Sequence, residues 1–280
     1  MNDSLSPREI VRAMVDLGAA KAAHSAPDLL IRGMLSGALL AFATSMALEG
    51  ALQTNVALVG ALTFPVGFAI IIILGLELVT GNFGLVPLAV IAHRTTVGRM
   101  LANWFWVFVG NMLGSLIFAG LFYVVLTDVG NVGASALGDH LRALAEAKTI
   151  AYEPYGYDGL VTAFVKAMLC NWMVCLGVVM GMSSKSTLGR IVGCWLPIFA
   201  FFALGFEHCV VNMFVIPMGM MLGAKISFAD WWYWNQIPVT LGNIAGGFLF
   251  TGLPLYWTYL KGGAEDVPAP AARMSLGPAE

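Results

Sequence analysis

The chain has 280 residues, of which 59% are hydrophobic and only 11% charged, and its formal net charge is −2. Soluble domains have about 25% charged residues, so this composition excludes an ordinary soluble protein, and the small negative net charge gives no indication of nucleic-acid binding. The four cysteines lie within apolar stretches at spacings that suit neither a zinc site nor a disulfide framework. We therefore expect buried thiols and no metal or other cofactor.

The first 26 residues predict an amphipathic helix at the membrane surface. Ser6–Glu9 has the pattern of a capping box with proline at the first helical position. Ile10, Met14 and Leu17 then share one face of the helix. The segment carries both charge signs and lacks the apolar core of a cleavable signal peptide. A charged helix with one apolar face is typical of an interfacial segment.

Six apolar runs follow, and a bilayer-spanning helix needs about 20 such residues. We therefore expect an all-α integral membrane protein with a single transmembrane channel domain over residues 1–262. It comprises the N-terminal helix, a first repeat (27–127), a connecting loop (128–158) and a second repeat (159–262). The tail, 263–280, is rich in Pro and Ala and is expected to be disordered. The runs lie near residues 29–48, 58–80, 101–127, 159–182, 191–222 and 236–260.

The distribution of basic residues predicts how the chain is oriented. If the N-terminus is cytoplasmic, ten of the 14 Lys and Arg residues fall inside and four outside, as the positive-inside rule favours. We therefore expect both termini in the cytoplasm and a multi-pass protein of the cell (inner or plasma) membrane. The aromatic cluster 231–234 at the outer end of the sixth run is typical of an interfacial belt.

The second and fifth apolar runs contain the same interruption. The pattern Gly-x-Glu-x4-Asn-x4-Pro spans Gly75–Pro87 and recurs over Gly205–Pro217, 130 residues later. The third and sixth runs also match, from Gly110 and from Gly242. Because each half has three spans, the second half enters the membrane from the opposite side. The sequence predicts two inverted three-helix repeats with broken helices 2 and 5, an arrangement typical of channels and transporters.

Each interruption holds a glutamate and an asparagine in apolar sequence. Glu77 and Glu207 would be the most costly residues to bury, and we interpret them, with Asn82 and Asn212, as structural groups. The glutamates would accept hydrogen bonds from the backbone freed at each break, and a proton or cation site is the alternative. His208 has no counterpart in the first half, and an intramembrane ionisable residue of this kind is a functional candidate.

Four segments resemble the formate/nitrite transporter family. They are Gly75–Asn82, Leu169–Leu176, Gly205–Gly219 and Ile237–Gly247, and the resemblance covers about residues 5–262. It implies homopentamers of aquaporin-like protomers, each with its own pore for a small monovalent anion, and no enzymatic activity. Formate is the expected substrate because it is broadly accepted across the family. Nitrite, hydrosulfide, acetate and lactate are the alternatives.

The resemblance also implies roles for individual residues. The central histidine would be His208, and Thr80 would face it from a loop of the broken second helix. A lysine of the outer vestibule would attract the anion; Lys148 is the candidate and Lys166 the alternative. Asparagines line the region near the pore, and two apolar constrictions flank the histidine. The asparagines would be Asn171 and Asn243, and the constrictions are expected to include Phe64, Phe68, Val174 and Phe201.

An apolar constriction excludes a hydrated anion because removing its water is costly. We expect His208, which titrates near neutral pH, to share a proton with the anion, so that permeation is pH-dependent and proton-linked. Both a channel and a proton symporter fit this scheme. An aquaporin-like channel for neutral solutes fits the architecture, but the paired Asn-Pro-Ala signature is absent from the sequence. An enzyme is disfavoured because neither His-Glu-x-x-His nor Gly-x-Ser-x-Gly occurs.

Overall fold

A computed structural model describes residues 4–133 and 135–261 of the chain. Within these ranges the protein consists of helices and their connections, with one isolated β-bridge between Ser4 and Ser184. The predicted disordered tail, 263–280, lies outside the described residues. The helices, in chain order, are α1 (Pro7–Ala23), α2 (Ala26–Thr54), α3 (Ala57–Thr63), α4 (Pro65–Ile73), α5 (Val79–Ile91), α6 (Val97–Thr127), α7 (Ala136–Ala147), a 3₁₀ helix (Ile150–Tyr155), α8 (Tyr157–Met182), α9 (Thr187–Ala203), α10 (Cys209–Met221) and α11 (Phe228–Lys261).

Four helices, α2, α6, α8 and α11, are long and apolar enough to cross a membrane. The second apolar run forms the shorter helices α3, α4 and α5, and the fifth forms α9 and α10. Large apolar side chains such as Phe105 and Leu121 on α6 are well exposed. Exposed apolar surface on this scale is unfavourable in water and ordinary in lipid. The protein is therefore a multi-pass membrane protein.

Helix α1 begins at the predicted capping box. The Ser6 hydroxyl accepts from the Glu9 N–H, and the Glu9 carboxylate accepts from the Ser6 N–H at 2.8 Å. Hydrogen bonds from the Ser6 hydroxyl and backbone hold the pKa of Glu9 below its usual value. The apolar face, which includes Val11 and Met14, is buried and packs against α5 and α6. This face therefore covers the protein itself, whereas the sequence predicted that it would lie on lipid.

The two interrupted spans break in the same way. The first break, residues 74–78, separates α4 from α5, and the second, residues 204–208, separates α9 from α10. Gly75 and Gly205 have φ values of +62° and +64°. Glycine adopts this left-handed conformation at little cost, whereas other residues are strained there. The glycines therefore end one half-helix so that the next can begin in a new direction.

The breaks are shorter than the sequence predicted. Pro87 and Pro217, expected to close them, lie inside α5 and α10. A proline removes one backbone donor from a helix, but neighbouring helices shield the freed carbonyl when the segment is surrounded by protein. Both prolines are buried, so the helices continue past them.

The connecting segment 128–158 is largely helical, whereas the sequence predicted a loop. Ser135 caps the N-terminus of α7 through a hydrogen bond from the Gly138 N–H. Leu137, Leu141 and Ala145 recur every four residues and are buried, which gives α7 an apolar stripe. That stripe packs on α10, as α1 packs on α5.

Glycines bring the long helices of each half into backbone contact. A Cβ added at Gly114 of α6 would collide with the Met34 carbonyl of α2. In the second half, a Cβ at Gly246 of α11 would collide with the Met168 carbonyl of α8. Small residues at such crossings are the usual means by which membrane helices approach closely. The same device therefore supports the surroundings of both breaks.

Candidate functional site

Two cavities lie on either side of the contact between the two helix breaks. The larger, the Lys21 cavity, has a volume of about 690 Å³ and is bordered by α1 and the first break. The smaller, the Lys148 cavity, has a volume of about 290 Å³ and is bordered by α7 and the second break. Leu78 and Gly81 line the first cavity, and His208 lines the second. Thr80 and His208 therefore lie where the two cavities come closest.

His208 is the N-cap residue of α10 and contacts Thr80. Its Nε2 atom lies 3.2 Å from the Thr80 Oγ1 atom, with both side chains buried. The Nδ1 atom accepts hydrogen bonds from the backbone N–H groups of Val210 and Val211. Since Nδ1 is an acceptor, a neutral ring carries its proton on Nε2 and donates it to Thr80. The Thr80 hydroxyl proton is then available for a further acceptor.

Thr80 belongs to the first turn of α5, whereas the sequence placed it in the loop of the break. Helix α5 begins at Val79 because the backbone N–H of that residue is already satisfied by Asn111 Oδ1 at 3.0 Å. A helix-borne threonine is held more firmly than one in a loop. The structure therefore brings Thr80 to His208 as expected, but from the start of a helix.

Apolar side chains close both cavities near this contact. Phe68 lines the Lys21 cavity, together with Leu78 and Val178. Phe201 lines the Lys148 cavity and stacks on the His208 ring, with centroids 5.6 Å apart and planes inclined by 23°. Leu78 and Val178 were not singled out in the sequence because neither belongs to a polar motif.

Two other predicted constriction residues lie in the surrounding core. Phe64 stacks on Phe202 with ring centroids 4.1 Å apart, and its side chain is fully buried. Val174 is also fully buried. Neither is among the residues that line the two cavities. Both support the aromatic group around Phe201, which Phe64 contacts edge to face at 5.6 Å.

Each break holds a buried glutamate that is paired with a lysine. Lys21 Nζ lies 2.9 Å from Glu77 Oε1, and Lys148 Nζ lies 3.0 Å from Glu207 Oε2. The glutamate side chains are only 1% and 2% exposed, and a charge buried to this extent requires a partner. The predicted backbone donors to these carboxylates are replaced by side-chain donors, because the amphipathic helices α1 and α7 deliver a lysine to each break.

A chain of asparagines extends each ion pair. In the first half, Asn82 Nδ2 donates to Glu77 at 2.7 Å and to Asn103 Oδ1 at 2.9 Å. Asn103 in turn donates to the Lys21 carbonyl at 2.9 Å. The second half repeats this network with Lys148, Glu207, Asn212 and Asn235. The sequence analysis missed Lys21, Asn103 and Asn235, which lie close to the same repeat offset as the glutamates.

The predicted pore asparagines hold the backbone of the breaks. Asn243 accepts from the N–H of Cys209, the first residue of α10, and donates to the carbonyls of Ala167 and Glu207. Asn111 makes the equivalent three bonds in the first half. Asn243 therefore fixes the start of α10, and it is not among the residues that line either cavity.

Asn171 links the two breaks. Its Nδ2 atom donates to the Thr80 carbonyl at 3.0 Å and to the Asn243 carbonyl at 2.6 Å. Its Oδ1 atom is buried and has no hydrogen-bond partner among the described residues. Asn171 also lines neither cavity, so its contact with the site runs through the Thr80 backbone.

The two candidate lysines occupy different positions. Lys148 lines the smaller cavity together with His208. Lys166 Nζ lies 3.4 Å from the Tyr152 hydroxyl, which donates to Glu207 Oε1 at 2.9 Å. Burial, and then the charge of Glu207, raises the pKa of Tyr152 above its usual value, so the phenol remains a donor. Of the two lysines, Lys148 is the one that borders a cavity.

The sequence as a whole decides the family. Residues 8–257 match the family model described as Formate/nitrite transporter. The chain belongs to the formate/nitrite transporter family. This result confirms the resemblance identified from the four sequence segments.

Curated relatives of this family member carry the names of transporters and channels. The chain is 36% identical over 271 residues to a probable formate transporter of Methanothermobacter thermautotrophicus, covering 91% of this chain and 97% of that protein. It is 35% identical over 246 residues to the formate channel FocA of Haemophilus influenzae, covering 79% and 83% of the two chains.

Solved structures of the formate/nitrite transporter family have the same fold. An FNT family ion channel superposes with a TM-score of 0.78 at 26% identity, covering 89% of this chain and 98% of that one. A pentameric formate channel with formate bound superposes with a TM-score of 0.68 at 27% identity, covering 84% and 98%. The predicted all-α membrane fold is thereby confirmed for the described residues.

Proposed function

We propose that this protein is a membrane channel for small monovalent anions, with formate as its principal substrate. The observation that carries the proposal is the buried contact between His208 and Thr80, 3.2 Å apart, where two cavities meet behind apolar side chains. The names of the relatives, which include formate transporters and formate channels, support it. Nitrite, hydrosulfide, acetate and lactate are the alternative anions.

The proposed architecture has six transmembrane helices in two inverted three-helix repeats, as in aquaporins. Helices α3 to α5 together form the second span, and α9 with α10 forms the fifth. The repeated ion pairs and asparagine networks support the internal repeat. The excess of basic residues on one side supports cytoplasmic termini in the cell inner membrane. A solved relative described as pentameric supports a homopentamer.

The proposed path runs from the Lys148 cavity, on the outside, past His208 to the Lys21 cavity. An anion that reaches Phe201 loses its water, which is costly in an apolar environment. The Thr80 hydroxyl can donate a hydrogen bond to this anion because its oxygen already accepts one from His208 Nε2. The site therefore offers an anion a donor between the constrictions.

Proton linkage would arise at the other ring nitrogen. A second proton on His208 must bind Nδ1 and displace the N–H groups of Val210 and Val211. A nearby anion favours the imidazolium form by its charge, while the loss of two backbone hydrogen bonds opposes it. Proton uptake would thus accompany anion arrival, and the resulting neutral pair crosses the apolar constriction more readily than an anion alone.

The test is anion uptake by the purified protein in liposomes. We would compare formate, nitrite, hydrosulfide and lactate at about pH 5 and about pH 7.5, on either side of the usual histidine range. Faster formate uptake at acid pH is expected. If water or glycerol passes and no monovalent anion does, the protein is a neutral solute channel and the proposal is wrong.

Two substitutions of the histidine separate its chemistry from its capping role. His208→Asn keeps an acceptor at the N-cap, a position that asparagine favours, but removes the titratable group. His208→Phe removes both. We expect each variant to lose the acid stimulation of uptake and the Asn variant to be the more stable of the two. Acid-stimulated uptake by His208→Asn at the wild-type level would exclude proton linkage through this ring.

A further inference from the structure

One face of α7 forms a wall of the Lys148 cavity. His140, Leu144 and Lys148 follow each other at intervals of four residues, and all three line the cavity. His140 is exposed, whereas the side chain of Lys148 is only 12% exposed. His140 therefore lies at the mouth and Lys148 at depth. Of the described side chains that line this cavity, those able to carry a positive charge are His140, Lys148 and His208.

The fixed charges around this mouth cancel each other. Lys148 is paired with Glu207 at 3.0 Å, so its charge is balanced by a buried carboxylate. Arg142, two residues after His140, is paired with Asp139 at 3.0 Å. Lys148 alone therefore gives the cavity little net attraction for an anion.

The elements packed against α7 add no further charge to the wall of the cavity. Glu146 of α7 itself accepts from the Lys225 N–H at 3.4 Å. Helix α2 brings Glu49, which accepts from the Gln53 amide at 2.7 Å. The 3₁₀ helix brings Glu153 and the protonated phenol of Tyr152, and α10 brings Cys209. None of these side chains lines the cavity in the described part of the chain.

The charge of His140 is therefore the one that changes at this mouth near neutral pH. Carboxylates and lysines keep their charges between about pH 5 and about pH 8. The imidazole makes no hydrogen bond or ion pair with the described residues and is open to solvent. Its protonation converts the mouth from nearly neutral to positive.

We propose that His140 captures the anion at the mouth of the Lys148 cavity in a proton-dependent manner. The inference rests on the proposed anion transport and orientation, and it adds a second residue through which external acid acts. Protonated His140 raises the local concentration of a monovalent anion and positions it above Lys148 and Phe201. The neutral ring does neither, so capture weakens as the external pH rises.

The Lys21 cavity is built differently. Arg32 and Arg190 line it, and their guanidinium groups donate to the carbonyls of Gly75 and Ser184 instead of pairing with acidic residues. Arginine keeps its charge at every physiological pH. This mouth is therefore positive under conditions in which the Lys148 cavity is not. Capture from the Lys148 side should depend on pH more strongly than capture from the Lys21 side.

The experiment measures initial rates of formate uptake by intact cells, in which all molecules have one orientation. KM and maximal rate are determined at external values of about pH 5.5 and about pH 7.5 for the wild type, His140→Gln and His140→Lys. The control is His93→Gln, which alters a histidine that lines neither cavity. Membrane levels of each variant are measured in parallel.

We expect the wild-type KM to be about threefold to tenfold lower at acid pH, the effect of one partly screened charge near the anion. His140→Gln should keep a high KM at both values, and His140→Lys a low KM at both. The maximal rate should retain its acid stimulation in each, since His208 is intact. His93→Gln should behave as the wild type.

The outcomes separate this inference from the proposed function. If the wild type transports formate and His140→Gln keeps the wild-type ratio of KM values, or His140→Lys remains pH-sensitive, the inference is wrong while the channel function stands. If the wild type takes up no formate or other monovalent anion at either pH, both are overturned.

Discussion

Lys148 and Glu207 join the end of α7 to the second helix break through an ion pair of 3.0 Å, and their side chains are only 12% and 2% exposed. Lys21 and Glu77 form the same connection between α1 and the first break, at 2.9 Å. In each half, a helix that precedes the first long span thus supplies the counter-charge for a break within the membrane. The amphipathic helices are therefore part of the structural framework of both breaks.

Removal of either partner of the Lys148–Glu207 pair should be strongly destabilising. Lys148→Met or Glu207→Gln leaves the remaining buried group without its partner, at a cost of about 3 to 5 kcal/mol when a charge is stranded. The measurement is thermal unfolding in detergent, followed by tryptophan fluorescence. The double variant should lose less than the two single losses combined. Strictly additive losses would show that the two side chains do not interact energetically.

Helix crossings should be sensitive to a single methyl group. Gly114→Ala or Gly246→Ala places a Cβ against the backbone of the facing helix, and overpacking of this kind costs about 1 to 3 kcal/mol. Gly120→Ala, on the same helix as Gly114, meets no atom within 4 Å and should stabilise slightly through helix propensity. Thermal unfolding midpoints should therefore shift in opposite directions at Gly114 and Gly120. A shared direction would contradict the close crossing.

Thr80→Val should uncouple His208 from the site. The ring Nε2–H then has no acceptor, and a buried unsatisfied donor costs about 1 to 3 kcal/mol. The variant should also lose most formate flux, because the hydroxyl donor to the anion is missing. Thr80→Ser keeps the hydroxyl and should restore both properties. The readouts are liposome uptake and the unfolding midpoint, and a freely transporting Thr80→Val variant would contradict the proposed site.

Tyr152 should make the protein sensitive to alkaline pH. Burial and the charge of Glu207 raise its pKa above the usual value of 10.0. The folded state therefore holds the phenol proton more tightly than the unfolded state, and this stabilisation is complete below about pH 10 and is lost as the pH rises further. Unfolding midpoints measured from about pH 8 to about pH 12 should fall less steeply for Tyr152→Phe. Tyr155→Phe, an exposed neighbour, should follow the wild-type curve, and parallel curves for all three proteins would refute the effect.

The sequence was most informative where it repeats. The shared pattern around Glu77 and Glu207 predicted two equivalent breaks, and His208 stood out because its counterpart, Leu78, is apolar. The extent of the breaks was not predictable from proline positions, because Pro87 and Pro217 lie in shielded helices where the usual penalty is reduced.

Long-range partners were harder to predict. Lys21 pairs with Glu77 across 56 residues, and nothing local to either residue indicates the other. Its offset of 127 residues from Lys148 was the available signal. Helix α7 was also readable, since Leu137, Leu141 and Ala145 recur at helical spacing. The geometry at Thr80 required the structure, because it depends on where α5 begins.

The duplicated networks have a consequence for how such a chain could have arisen. Lys21, Glu77, Asn82 and Asn103 satisfy one another within the first half, and their counterparts do so within the second. A half-length ancestral polypeptide would therefore have carried every partner that its own buried charge required. Fusion of two gene copies would have needed to repair no polar group, and the substitution that placed a histidine opposite Thr80 could come afterwards, in one copy alone.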